Sequence, residues 1–238
     1  MYEISVDTGG TFTDVVVSDD AGRFVIGKAL TTPGRAFDGM SAAIASAADI
    51  MGLSARDLIA NSARLIYGTT RATNAIVTRK TARTALLINE GFRDVLTIRE
   101  GGKADPHDFT VQYPDPYVAK ALTFGVTGRI NSEGGVETPL DEARAIEVIA
   151  ELKTRKVEAV AVCLLWSVVN PAHEVRLGEL LAEHLPGVPV TLSHQLLPIL
   201  REYRRALASS MDASLKPLMQ KHLQEMETDL RGAGFAGD

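Results

Sequence analysis

The stretch Val6-Asp7-Thr8-Gly9-Gly10-Thr11-Phe12-Thr13-Asp14-Val15 lies between two runs with strand character. Upstream, Tyr2-Glu3-Ile4-Ser5-Val6 alternates apolar with polar and ends at an acid. Downstream, Val15-Val16-Val17 is wholly apolar, and Phe24-Val25-Ile26 supplies a third run. The pattern predicts a three-strand antiparallel meander with the glycines in its first turn. Gly9 and Gly10 carry no Cβ, so their N–H groups can converge on one concavity and approach a phosphate closely, while Thr8, Thr11 and Thr13 add hydroxyls. Asp7, at the end of the first strand, is placed to hold a hydrated Mg2+ beside such a phosphate, because that ion takes few carboxylates and keeps several waters. The same spacing also fits an ordinary Gly-Gly hairpin turn with polar flanks, and the turn alone does not separate the two readings.

Working outward, Phe37, Met40, Ile44, Ala47 and Met51 recur at helical steps and predict an amphipathic helix that Gly52 closes. Leu65-Ile66-Tyr67 reads as a strand ending in Gly68-Thr69-Thr70, followed by a helix over 72–80 and a strand over 84–88. That order predicts a right-handed β-α-β crossover within one sheet. From Arg99 to Lys120 the periodicity lapses among glycines, prolines and aspartates, which fits a lid, a subunit contact or surface padding. A second α/β stretch follows: a helix over 140–156, a non-alternating strand over 157–166 suited to the middle of a sheet, and a helix opened by Asn170-Pro171 with Leu177, Leu181 and Leu185 inward. A short strand over 189–192 and a polar turn at Ser193-His194-Gln195 lead to a long C-terminal helix, Leu207 to Leu230, kinked or restarted at Pro217. The division read from these patterns is 1–100, an irregular 101–120 segment, and 121–238.

Composition excludes several classes. The 238 residues carry a formal charge of −5, with 45% hydrophobic and 23% charged residues, which argues against a general nucleic-acid or anionic-membrane surface. The one cysteine, Cys163, sits in an apolar strand run and reads as a buried thiol. No basic-then-apolar leader is present. The longest apolar stretch, 157–169, is shorter than the roughly 20 residues of a membrane span and contains Glu158, so a cytoplasmic location is expected. The five histidines show no ligand spacing such as His-x-x-x-His. His173 is expected to bond locally in a first helical turn, and His194, beyond a strand end, is the histidine best placed for a role.

Several ordered segments together resemble the N-terminal part of the hydantoinase A/5-oxoprolinase family. They are Val6 to Val15, Lys28-Ala29-Leu30-Thr31-Thr32-Pro33, Gly68-Thr69-Thr70-Arg71-Ala72-Thr73-Asn74-Ala75, Glu90-Gly91-Phe92-Arg93-Asp94-Val95-Leu96, Ala159 to Ser167 with Asn170-Pro171-Ala172-His173-Glu174, and Ser193-His194 followed by Arg201-Glu202-Tyr203-Arg204-Arg205. The resemblance implies an α/β fold beginning with a ribonuclease H-like or actin-like ATPase lobe, followed by a second small α/β portion and a long helix. It implies ATP and Mg2+ as cofactors, and either hydrolysis of a cyclic amide such as a hydantoin or 5-oxoproline, or a place in a ketone carboxylase. Carried over residue by residue, Asp7 is the metal-associated, catalytic acid, and Thr8, Gly9, Gly10, Thr11, Thr13, Gly68, Thr69 and Thr70 are phosphate contacts. Asn74 fits a local hydrogen bond better than a ligand contact.

Two departures stand out. Tyr67 occupies the position where the family commonly has histidine; it keeps a hydrogen-bonding tip but cannot titrate near neutrality. The run after Arg205, Ala206-Leu207-Ala208-Ser209-Ser210, replaces a hydroxyl-rich one. Full-length family members are longer, so the resemblance also implies a second lobe, supplied by a partner subunit or by further sequence. The alternative is a non-catalytic regulatory or assembly module that retains the fold.

Overall fold

Alternation at the amino terminus becomes sheet in the computed structural model, which describes residues 1–32, 34–101, 107–108 and 110–238. β1 (Tyr2–Thr8), β2 (Phe12–Asp19) and β3 (Phe24–Leu30) form the antiparallel meander. Ile4, Val6, Val15 and Val17 point to one face and are buried by α1 (Ala36–Met51), while Glu3, Ser5, Asp7 and Val16 point to the other and are exposed. Gly27 on β3 allows this packing: a Cβ there would lie 2.1 Å from the Ala43 carbonyl oxygen of α1. Gly52 closes α1 in the left-handed region at φ 68°, with its N–H on Ala48 and Asp49 carbonyls. α2 (Ala55–Ala60) is capped by the Ser54 hydroxyl, which accepts from the Asp57 N–H at 3.0 Å. β4 (Ser62–Thr69) then adds parallel to β1, giving the order β3-β2-β1-β4. α3 (Arg71–Val77) follows it directly.

The next strand leaves that sheet. β5 (Thr84–Asn89), buried at every residue, is the founding strand of a second sheet, so the predicted crossover within one sheet is corrected. Every residue of β5 is buried, which suits a strand covered on both faces, whereas the first sheet is covered by α1 on one face and exposes Glu3, Ser5 and Asp7 on the other. After α4 (Val95–Ile98) come β6 (Thr123–Val126) and the two-strand ribbon of β7 (Arg129–Ile130) and β8 (Val136–Thr138). Then follow α5 (Glu142–Thr154), β9 (Ala159–Cys163), α6 (Ala172–His184), β10 (Val190–Leu192), α7 (Ser193–Leu196) and α8 (Glu202–Gly232). The second sheet is all parallel in the order β10-β9-β5-β6. Ala85, Leu87, Val160 and Val162 pack against residues of α5 and α6, and Leu86, Ile88, Ala159 and Ala161 against Ala206 and Ala213 of α8. Both faces are therefore covered, as all-parallel strands require.

By packing, the described residues form two units, Met1–Lys80 with Met219–Asp238, and Thr81–Leu218. The sequence division placed its boundary at 101–120; residues 102–106 and 109 of that segment, like Pro33, lie outside the described residues. α8 is continuous through Pro217. The polar turn at 193–195 is one short helical turn, and the N-cap of α6 falls on Pro171, although the Asn170 side chain still accepts from the Ala172 N–H at 3.0 Å. Among the described residues no helix is long and apolar enough to cross a membrane.

Candidate functional site

Parallel pairing of β1 with β4 sets Asp7 beside Gly68 and Thr8 beside Thr69. The glycine turn and Gly68-Thr69-Thr70 therefore emerge side by side at the carboxyl ends of adjacent parallel strands, the edge where α/β sheets receive ligands. A backbone bond from Thr70 N–H to the Thr8 carbonyl, at 3.4 Å, ties them together.

The turn is held from two sides. Gly9 N–H donates to the Phe12 carbonyl at 3.0 Å, Thr31 N–H donates to the Thr11 carbonyl at 2.9 Å, and the Thr31 hydroxyl donates to the Gly9 carbonyl at 3.0 Å. Thr13, fully buried, spends its hydroxyl on Thr31 at 3.0 Å, so it braces the turn. Gly10 and Thr11 are exposed, and a Cβ on Gly10 would meet nothing within 4 Å. Thr8 is buried with its hydroxyl unpartnered. In the second loop, the Thr69 hydroxyl accepts from Arg71 N–H at 3.2 Å, and the Thr70 hydroxyl accepts from the Asn74 side-chain amide at 3.3 Å, so Asn74 bonds locally.

Asp7 is exposed on the sheet face turned away from α1, and its carboxylate has no hydrogen bond or ion pair among the described residues. A Cβ on Gly68 would stand 3.7 Å from its Oδ1, so the small residue leaves the acid room. Directly across the strand pair is Asp14, whose Oδ1 binds Lys28 Nζ at 2.7 Å. One free carboxylate beside a second, with an open glycine turn next to it, suits a hydrated divalent cation bridging to an anion. No group of three or more His, Cys, Asp or Glu that could hold a metal occurs among the described residues. The donor set thus fits an ion that takes one or two carboxylates and completes its shell with water and phosphate oxygens, and does not fit an all-protein cage.

A sequence model of the hydantoinase/oxoprolinase N-terminal region matches residues 3–185. The chain belongs to that family. Caprolactamase subunit alpha of Pseudomonas jessenii is 35% identical over 228 residues, which cover 95% of this chain and 33% of the relative. The acetophenone carboxylase gamma subunit of Aromatoleum aromaticum is 36% identical over 247 residues, covering 98% and 34%. The crystal structure of the ATP-dependent caprolactamase from Pseudomonas jessenii has a TM-score of 0.87 to this chain at 34% identity, covering 98% of this chain and 34% of that one. This hydantoinase/oxoprolinase-type chain spans about a third of the length of those relatives.

Later family motifs build a different kind of cluster, in the second unit. Glu174 on α6 is fully buried and accepts from Leu164 N–H (2.8 Å), the Ser193 hydroxyl (2.6 Å) and His194 N–H (3.0 Å), with His194 Nδ1 at 2.6 Å from its Oε2. Arg205, also fully buried, donates to the carbonyls of Ile199 and Leu164. Sequence reading missed both, because an acid in a first helical turn and an arginine in a basic run ordinarily face solvent. His173 does not bond locally: its Nδ1 is buried without a partner, and burial lowers its pKa. Cys163 is the buried thiol expected, its pKa pushed up to about 11 by burial. Tyr67 keeps its polar tip satisfied through an unforeseen partner, His222 Nε2 at 3.0 Å.

Proposed function

We propose that this chain carries the phosphate-binding jaw of a cytoplasmic, ATP-dependent enzyme that opens a cyclic amide, or that serves a ketone carboxylase as a subunit. The observation that carries the reading is the juxtaposition, at the ends of β1 and β4, of an unpartnered Asp7 carboxylate, a turn with open space at Gly10, and the Gly68-Thr69-Thr70 loop. Caprolactamase, an amide hydrolase by its name, and acetophenone carboxylase are the relatives that supply the two reaction classes.

In this reading Gly10 and Thr11 present N–H and hydroxyl donors to phosphate oxygens, while Gly9, whose N–H is bonded to the Phe12 carbonyl, lets the backbone approach closely from a turn that Thr13 and Thr31 hold rigid, so little reorganisation is needed when charge arrives. Gly68, Thr69 and Thr70 supply the neighbouring wall. Thr8 contributes a hydroxyl that otherwise has no partner. Asp7 would hold a hydrated Mg2+ ion. Bound Mg-ATP would supply a phosphoryl group to an amide, enolate or carbonate oxygen, with ADP leaving, and so make that oxygen a better leaving group. Opposing contacts to the nucleotide, and the exclusion of water, fall to a second lobe carried by a partner subunit or by further sequence.

Isothermal titration calorimetry with Mg-ATP tests this. Weak binding by the chain, tightening once the second lobe is added, and a loss of about tenfold or more in Asp7→Ala in both settings is the expected result. Absence of binding in both settings overturns it.

A further inference from the structure

The first unit holds a cavity of about 640 Å3 on the α1 side of its sheet, within the size range of small-molecule sites. None of residues 7–14 or 68–70 lines it, although Arg71 directly follows Thr70. Its walls are the first turn of α1, Arg71 at the start of α3, and the stretch of α8 from Lys221 to Asp229. Several of the charges here are already matched: Arg35 donates to Asp229 at 2.8 Å, and Lys221 stands 3.9 Å from Glu225.

Two groups are not matched. The Arg71 guanidinium is exposed and makes no hydrogen bond or ion pair among the described residues. His222 is only 7% exposed, yet it lines the cavity with Nε2 committed to the Tyr67 hydroxyl and Nδ1 without a partner among the described residues. Burial first, and then the charge of Arg71, lower its pKa, so the imidazole is neutral around pH 7. When Tyr67 donates to Nε2, the ring proton sits on Nδ1 and is offered to the cavity. That donor faces the cavity rather than a protein acceptor, so an oxyanion placed there can accept from it. The uncapped amino end of sixteen-residue α1 opens onto the same space and adds to its positive potential, while Phe37 and Met226 provide apolar wall.

We propose that this cavity is a second binding site, for a small molecule bearing a carboxylate or phosphate group, with Arg71 as its cationic anchor and His222 Nδ1–H as its second donor. Charge-assisted bonds from a guanidinium fix the oxyanion, and the imidazole sets its depth. The site does not depend on the Mg-ATP reading.

The test is titration of the whole chain with acetate and, separately, with inorganic phosphate at constant ionic strength, followed through the His222 imidazole resonances by NMR. A saturable shift is expected, with the His222 pKa rising on occupancy because a neighbouring anion favours the imidazolium. Arg71→Ala, at an exposed position, weakens binding about tenfold or more, and calorimetry shows the same direction for His222→Gln. Asp7→Ala leaves it unchanged. Saturation by acetate alone assigns a carboxylate, by phosphate alone a phosphate, and by both the shared oxyanion. No saturable shift with either anion, or undiminished affinity in Arg71→Ala, overturns the proposal. Loss of binding in Asp7→Ala overturns it as well, because the anion would then belong to the glycine turn.

Discussion

Each unit ends its parallel strands in a group of polar residues, and the two groups are finished differently. At the ends of β1 and β4, Asp7 has no partner, Thr8 has an idle hydroxyl, and Gly10 faces open space. The second sheet changes direction of winding between β5 and β9, the kind of switch point where crevices form. There, however, Asn89 closes the gap, its Oδ1 accepting from Leu165 N–H at 2.7 Å and its Nδ2 donating to the Gly128 carbonyl at 2.6 Å. Glu174 saturates both its oxygens on Leu164, Ser193 and His194. Equivalent places in two sheets thus hold opposite kinds of chemistry: groups whose partners are built in fasten the chain, and groups left without partners can receive something from outside.

The same substitution at the two acids is the sharpest way to break this contrast. Glu174→Ala removes the acceptor for a buried and a part-buried backbone N–H and for a buried hydroxyl, and should lower stability by roughly 4 kcal/mol, read as the shift in urea midpoint at constant slope. A loss under about 1 kcal/mol would show that water takes over those donors and that the second cluster is not a fastening. Gly27→Ala, which drives a methyl into the Ala43 carbonyl and Ala47 N–H of α1, should cost about 2–3 kcal/mol in the first unit, because α1 must lift from β3. Asp7→Ala should change the urea midpoint by no more than about 0.5 kcal/mol while lowering Mg-ATP affinity. If Asp7→Ala destabilised the chain as Glu174→Ala does, the first edge would be a fastening too.

How much of this was legible in the sequence follows from the range of the interactions involved. The meander could be read because period-two alternation is a property of neighbouring residues, and Gly9-Gly10 marks where it turns. Sheet membership of β5 could not: Thr84–Asn89 is buried at every position, and a run without alternation says only that both faces will be covered, not by which partner. The bracing of the turn by Thr31, 18 residues beyond Thr13, and the hold of Glu174 on Ser193, 19 residues further on, are tertiary facts that leave no periodic trace. Tyr67 was noticed as a departure, but its partner is 155 positions away on α8, where a histidine among charged residues reads as solvent-facing. Motif resemblance located the loops at the ends of β1 and β4; only the fold showed that Thr13 spends its hydroxyl on the protein and that Asp7 does not spend its carboxylate.

The smallest expected effect separates the units by pH. His173, in the second unit, and His222, in the first, both have folded-state pKa values lowered from 6.5, chiefly by burial. A lowered folded value means that the unfolded chain takes up protons first as pH falls. The stability these two imidazoles contribute is therefore complete above pH 6.5 and is lost as pH drops through their folded values. Glu100 and Glu142, whose arginine partners lower their pKa from 4.5, lose their contribution only at lower pH, so the histidine window lies apart from theirs. Urea midpoints measured down from pH 8 should stay level until about 6.5 and then fall. His222→Gln should shrink that fall without abolishing it, with the remainder due to His173. If His222→Gln leaves the fall untouched while His173→Gln removes it, the His222 imidazole is already charged and solvated in the folded chain, and the first unit's edge is more open than its geometry indicates.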